Sequence, residues 1–318
     1  MKNYLCSVAA ISLLAALAAC AEESGEPGEE AYQLDADLLS REDAVHKEAI
    51  DEARELVNAG GFEAFMASAY KEDFEGGGYI VNGDVFLPDE AALRAFYENE
   101  FVPMTTASPK FTLDVDLNGA DNIWDEQQKR AITYCISTSF GRDYARVRDA
   151  MEAATAAWEE VADLDFQHVA AQDSACNGAN AAVTFDVRPV RGQRYLARAF
   201  FPNYARASRN VMINDSGMDY PNTGPGLTLT GILRHELGHT IGARHEHIRP
   251  EAGVCQETGD SRPITNYDAY SVMHYPQCNG LGDWTLTLTR LDRIGAACIY
   301  GAAAGTNPDL SLCRKRVR

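Results

Sequence analysis

Residues 235–247 read HELGHTIGARHEH, and five of the seven histidines of the chain lie between positions 235 and 274. On a helix, His235 and His239 stand one above the other, so both imidazoles reach one metal ion while Glu236 projects beside them. Leu233, Leu237 and Ile241 fall on the opposite side and supply a face for a core. Thr228 is placed to cap the start of this helix, with Leu229 and Ile232 extending the stripe. Gly242 can take a left-handed conformation, end the helix and turn the chain back, delivering His245 to the same ion. Three neutral imidazoles leave a fourth tetrahedral position for water, the open arrangement of a catalytic zinc site. Glu236 is placed to take that water's proton.

The full pattern HExxHxxGxxH is the metzincin signature, and the chain resembles that clan of zinc metallopeptidases. The resemblance implies a methionine turn beneath the zinc, for which SVMHY at 271–275 supplies Met273. Glu246, Arg249 and Tyr275 look astacin-like. By that resemblance Tyr275 is a further zinc ligand that swings away to steady the oxyanion, a role for which a phenol is a suitable donor. Ala243 replaces the phenylalanine usual in astacins, and Pro250-Glu251 replaces a charged run. The stretch ending in YLARAFFPN (195–203) looks matrixin-like, so the subfamily stays open. Fewer expectations attach to the other histidines: His168 reads as structural, and His46 and His247 as solvated.

Around this centre the pattern is that of an α+β domain. AITYCIS alternates as a half-buried strand. Tyr144, Val147, Met151, Ala154, Trp158 and Val161 form one helical stripe. LDFQHV, AAVTFDV, YLARAFF and NVMIN read as further strands, predicting a mixed twisted sheet of four or five strands with two long helices. Thr289 and Asp292 open a last helix in a small C-terminal subdomain. The catalytic domain is placed at 123–301, with a solvated tail at 302–318.

The charge of −19 argues against nucleic acid as partner, since phosphate binding needs a basic face. It is concentrated in residues 21–100, which hold 22 Asp or Glu against 5 Lys or Arg. Residues 41–122 read as helices and a hairpin around Asn82-Gly83, a possible pro-segment. Val81-Asn82-Gly83-Asp84 resembles the Phe-x-Gly-Asp element by which an astacin pro-segment places an aspartate on the zinc. A tight hairpin with Asp84 merely following its turn accounts for the same residues and is the preferred reading.

Residues 1–20 have the layout of a secretory signal. Leu17-Ala18-Ala19-Cys20 resembles a bacterial lipobox, implying a lipid anchor at Cys20 and an acidic tether over 21–40. Simple secretion, with cleavage near Ala18, is the alternative. The expected location is therefore outside the cytoplasm, on the outer membrane or cell surface, with release by proteolytic processing. Six cysteines remain in the exported part: Cys135, Cys176, Cys255, Cys278, Cys298 and Cys313. They suit disulfides in an oxidising compartment, and Cys255 with Cys278 is favoured because that bridge would hold a loop beside 271–275. NDSGMD at 214–219 contains oxygen ligands suited to calcium, but turns of this composition are common and calcium is not expected.

These readings converge on an exported, monomeric zinc metalloendopeptidase acting on a protein or peptide. The zinc ligands would be His235, His239 and His245, with Glu236 as general base. The alternatives are a zinc hydrolase of cell-wall peptide amides and a surface binding module that keeps the zinc without cleaving.

Overall fold

The computed structural model describes residues 61–101, 112–115, 119–255 and 261–314. The signal, the tether, His46 and most of the basic tail lie outside the described residues. Helix and sheet are mixed, in an α+β arrangement.

The main sheet has five strands, lying side by side in the order 166–168, 132–136, 185–190, 210–214 and 197–198. These are β5 Ile132–Ile136, β6 Phe166–His168, β7 Phe185–Val190, β8 Ala197–Arg198 and β9 Asn210–Asn214. All pair in parallel except β8, which runs antiparallel to β9 and leaves one edge unpaired among the described strands. Two helices pack against one face: α3 (Tyr144–Glu159) and α4 (Leu229–Thr240). Val147, Met151, Ala154 and Trp158 of α3 are buried in one cluster with Val211 and Ile213 of β9 and with Leu233 and Leu237 of α4. Trp158 fills this core and its indole N–H donates to Arg234 O at 2.9 Å, so its polar edge is satisfied as its rings are buried. Truncating a core Trp to Ala costs about 3–5 kcal/mol.

The other face of the sheet is covered by the N-terminal region. Helix α1 (described over 61–68) and strand β1 (Tyr70–Lys71) lead into the hairpin of β2 (Tyr79–Val81) and β3 (Val85–Leu87), followed by α2 (Glu90–Phe101). Asn82 and Gly83 both have positive φ, 50° and 89°, as a two-residue hairpin of primed type demands. Ile80 and Phe86 of the hairpin bury against Met212 and Tyr195. Alternation along β9 thus serves two cores, Val211 and Ile213 facing the helices and Met212 the hairpin.

One further strand falls within residues 41–122, beyond the helices and hairpin read there. Residues Thr112–Asp114 form β4, which pairs with β10 (Ser261–Pro263) and passes beside the turn after α4, with Asp114 N–H donating to Gly242 O at 2.8 Å. Three residues are too few to carry a period in sequence. The chain closes with α5 (Arg290–Tyr300), opened by a reciprocal capping box between Thr289 and Asp292. Disulfides join Cys135 to Cys176, Cys255 to Cys278 and Cys298 to Cys313. Arg314, the first residue of the basic run, is docked: its N–H donates to Ile264 O.

Candidate metal centre

Helix α4 begins at Thr228, whose hydroxyl accepts the N–H of Gly231 at 3.0 Å. It presents His235, Glu236 and His239 on the face away from Leu233 and Leu237, and all three are buried. Gly242 has φ 91° and packs so close to Asn122 O that a Cβ there would stand 2.4 Å from it, so the return turn requires glycine on two counts. The returning chain brings His245 Nε2 to 3.3 Å from His235 Nε2.

Each ring on the helix is held from behind. His235 Nδ1–H donates to Val272 O and His239 Nδ1–H to Ala243 O, both at 2.8 Å. That tautomer leaves each Nε2 lone pair directed into the shared space, as metal ligation requires. Burial, reinforced by neighbouring His245, pushes His239 down to about 3 and keeps it neutral.

The fourth wall of this space is Asp84, immediately after the hairpin turn. Its carboxylate lies 3.4 Å from His235 Nε2, 3.8 Å from His239 Nε2 and 3.0 Å from His245 Nε2. One donor atom from each of the four residues falls within 4.8 Å of the others. The hairpin and the histidine-facing carboxylate are therefore one feature, because a tight turn is what projects Asp84 into the cleft. Burial alone would raise Asp84; the surrounding histidines, His245 foremost, outweigh it and hold the carboxyl well below its usual range. Glu236 is pushed well above its usual range, by burial first and then by the Asp84 charge.

The donor set fits a zinc ion: three imidazoles and a carboxylate oxygen, within a space the size of one ion. His239 Nε2 and Glu236 Oε2 are buried without a hydrogen-bond partner, an arrangement that costs energy unless a cation or polar ligand completes it.

Met273 is fully buried beneath α4. A Cβ on Gly238 would stand 2.4 Å from its sulfur, so the glycine inside the histidine motif permits this contact. The loop carrying Met273 is fixed from α5: Asp292 accepts Ser271 Oγ–H at 2.5 Å and Val272 N–H at 2.9 Å. Since Val272 O in turn holds His235, a carboxylate on the last helix reaches the centre through the backbone of one residue. Tyr275 packs its ring on His245, centroids 4.5 Å apart, and on His235 at 5.6 Å.

His247 does not match its reading as solvated. It is fully buried, stacks on Tyr275 at 4.7 Å, and its Nδ1 accepts the Tyr275 N–H at 3.2 Å. Two residues beyond a ligand position, it supports the tyrosine. His168 instead bonds Asp173 at 3.1 Å, remote from the centre. Asp215 and Asn214 spend their side chains on local bonds to Ser216, Gly192 and Gln193. Sequence reading named Asp292 only as part of a helix start and Glu246 and Arg249 only as astacin-like; it did not foresee the hold of Asp292 on the Val272 backbone or the Glu246–Arg249 pair, a buried contact of 2.6 Å whose carboxylate also accepts Asp268 N–H. The three-residue spacing of Glu246 and Arg249 was the available signal.

A cavity lined by Asp84, Tyr195, Leu227, Glu236, Tyr275 and Trp284 opens beside the centre, bounded by β8 on one side and the 275–277 segment on the other.

The zinc metalloproteinase nas-38 of Caenorhabditis elegans is 32% identical over 101 residues, 26% of this chain and 14% of that protein. Matrix metalloproteinase-A of the same organism is 23% identical over 158 residues, 46% of this chain and 29% of that protein. The chain thus spans less than a third of the length of these curated relatives. The solved structure of myroilysin aligns with 58% of this chain and 97% of its own at 15% identity and a TM-score of 0.41. Residues 123–253, the stretch that holds His235, Glu236, His239 and His245, match the family model described as Matrixin.

Proposed function

We propose that this protein is a zinc-dependent metalloendopeptidase held latent by its own N-terminal region. The single observation that carries the reading is the convergence of three Nε2 atoms and the Asp84 carboxylate, beside buried Glu236, at one end of an open cavity.

His235, His239 and His245 would hold the metal. Zinc, when bound, supplies a Lewis acid for the scissile carbonyl and lowers the pKa of water in its coordination sphere. Glu236 takes the proton from the attacking water and later gives it to the leaving amine; burial, which raises its pKa, suits it to carry a proton at neutral pH. The Tyr275 hydroxyl donates to the developing oxyanion, and His247 holds the tyrosine backbone in register. Asp84 occupies the place water needs. Removal of the hairpin, by cleavage between Val85 and Ile123, opens the site. Glu246, Arg249 and Tyr275, with the Asp84 element, favour the astacin-like side of the resemblance, while the family-model match favours the matrixins.

The signal-like residues 1–20, with Cys20 as lipid-bearing N-terminus, support an exported and anchored enzyme that cleavage would also release. Three disulfides suit that oxidising location.

The test is to nick the full-length chain and its Glu236→Ala variant alike between 101 and 112, incubate each with an unfolded protein, with and without a chelator, and record intact masses. Cleavage by the wild type alone, stopped by chelation, is expected. Equal zinc content in both proteins with no cleavage by either, even after the N-terminal region is cut away, would leave a zinc-binding module instead.

A further inference from the structure

Arg198, on edge strand β8, is a cation wholly removed from solvent, and its acidic partner comes from the N-terminal region. Its Nε and Nη2 donate to Glu72 Oε1 at 2.7 Å and Oε2 at 2.9 Å, the bidentate geometry that suits a guanidinium to a carboxylate. Nη1 donates to Asn210 Oδ1 at 2.6 Å, and the guanidinium carbon lies 3.7 Å from the centre of the Phe86 ring. Glu72 also accepts the Tyr195 hydroxyl and, at 3.1 Å, the Gly78 N–H. Both charged side chains are fully buried.

The two sides of this contact belong to different parts of the chain. Glu72, Gly78 and Phe86 lie in the N-terminal region, whereas Arg198, Tyr195 and Asn210 stand on the sheet. When the N-terminal region leaves, a preassembled receptor for a carboxylate stays behind: a guanidinium oriented by an asparagine, beside a phenol. An arginine buried for structure alone would be paired within its own domain, because losing the partner of a buried charge costs several kcal/mol. Here the partner is the segment whose departure the latent enzyme requires.

The receptor also adjoins the reaction. Tyr195 lines the cavity shared by Asp84, Glu236 and Tyr275. β8 is paired only with β9 among the described strands, and an extended peptide laid along such an edge turns alternate side chains to one face.

We propose that Arg198, with Tyr195 and Asn210, is an acidic-side-chain subsite of the cleft, which takes a substrate glutamate once the N-terminal region has left and which Glu72 fills by mimicry until then. This rests on the peptidase reading above. Glutamate is preferred to aspartate because Glu72 sets the reach.

The test uses the full chain nicked between 101 and 112, with both fragments kept in the sample so that any residual inhibition acts equally on every peptide. Peptides identical except for Glu, Gln or Ala at one position, walked along both sides of the cleaved bond, are compared by kcat/KM. At one position Glu is expected to exceed Gln by about 10- to 100-fold, the value of a hydrogen-bonded charge. Arg198→Gln brings that ratio close to one. Should Arg198→Gln fail to fold by circular dichroism, Tyr195→Phe, which keeps the guanidinium and removes one donor, is expected to lower the ratio several-fold. Cleavage with equal kcat/KM for Glu and Gln at every position overturns the subsite and leaves the peptidase standing, as does a preference that survives Arg198→Gln or, in its place, Tyr195→Phe. Absence of cleavage of any peptide overturns the peptidase reading and the subsite with it.

Discussion

Asp84 Oδ1 stands 3.0 Å from His245 Nε2, bringing the turn of an N-terminal hairpin against the last residue of the histidine motif. The contact joins the two halves of the molecule at the atoms on which the chemistry depends. Replacing Asp84 by Ala removes the carboxylate but leaves the hairpin packed through Phe86 and Glu72. Activity of the full-length chain on an unfolded substrate is expected to rise about 10- to 100-fold, by loss of one charge-assisted contact. Unchanged activity would refute a role for Asp84 in latency.

Tyr275 packs its ring against His235 and His245, beside the three imidazoles that would hold the ion. In the activated enzyme Tyr275→Phe should therefore keep its zinc, measured by metal analysis, and lose about 10²- to 10³-fold in kcat, the usual loss for one oxyanion donor. A fall confined to KM would point to substrate packing instead.

Gly238 admits Met273 beneath the motif helix, and Gly238→Ala puts a methyl 2.4 Å from the sulfur and 3.3 Å from the Trp158 ring. Alanine gains about 1 kcal/mol in helix propensity, while overpacking a tight core costs about 1–3 kcal/mol. At such a short separation the second term wins. A net loss of about 1–2 kcal/mol is expected from urea midpoints.

His274 is pushed down to about 4, by burial first and then by the neighbouring His247, and its Nε2 faces the Tyr267 hydroxyl at 2.8 Å. In the unfolded chain it titrates near 6.5. Between those values the unfolded state binds the extra proton, so stability rises with pH: the contribution is present above about 6.5 and is lost as pH falls toward 4. The loss is at most about 3 kcal/mol. Buried His239 has the same sign, so the comparison that isolates His274 is wild type against His274→Asn. Denaturant unfolding from pH 7 to 4 should show a shallower decline in the variant.

The local chemistry was legible in one dimension wherever it depended on helical spacing or on a single residue's backbone freedom. His235, Glu236 and His239 share a face because a helix repeats in 3.6 residues, and Gly242 returns the chain because glycine alone accepts that turn cheaply. The capping box at Thr289 and the Asn82-Gly83 turn are equally local. For the same reason the stripe from Tyr144 to Trp158 was readable as a helix with a core face.

Tertiary structure alone decided which distant groups meet. A solvated His247 and a merely adjacent Asp84 were reasonable in a linear chain, since nothing local says that the 271–275 loop will cover one or that the hairpin will aim the other at the cleft. Asp292 holding Val272, Glu72 filling the Arg198 fork and β4 beside Gly242 are likewise products of packing. Each buries a polar group that must find a partner, and the partner is whatever the fold brings near, at any separation along the chain. Periodicity determines what an element buries; only closure of the core determines against what.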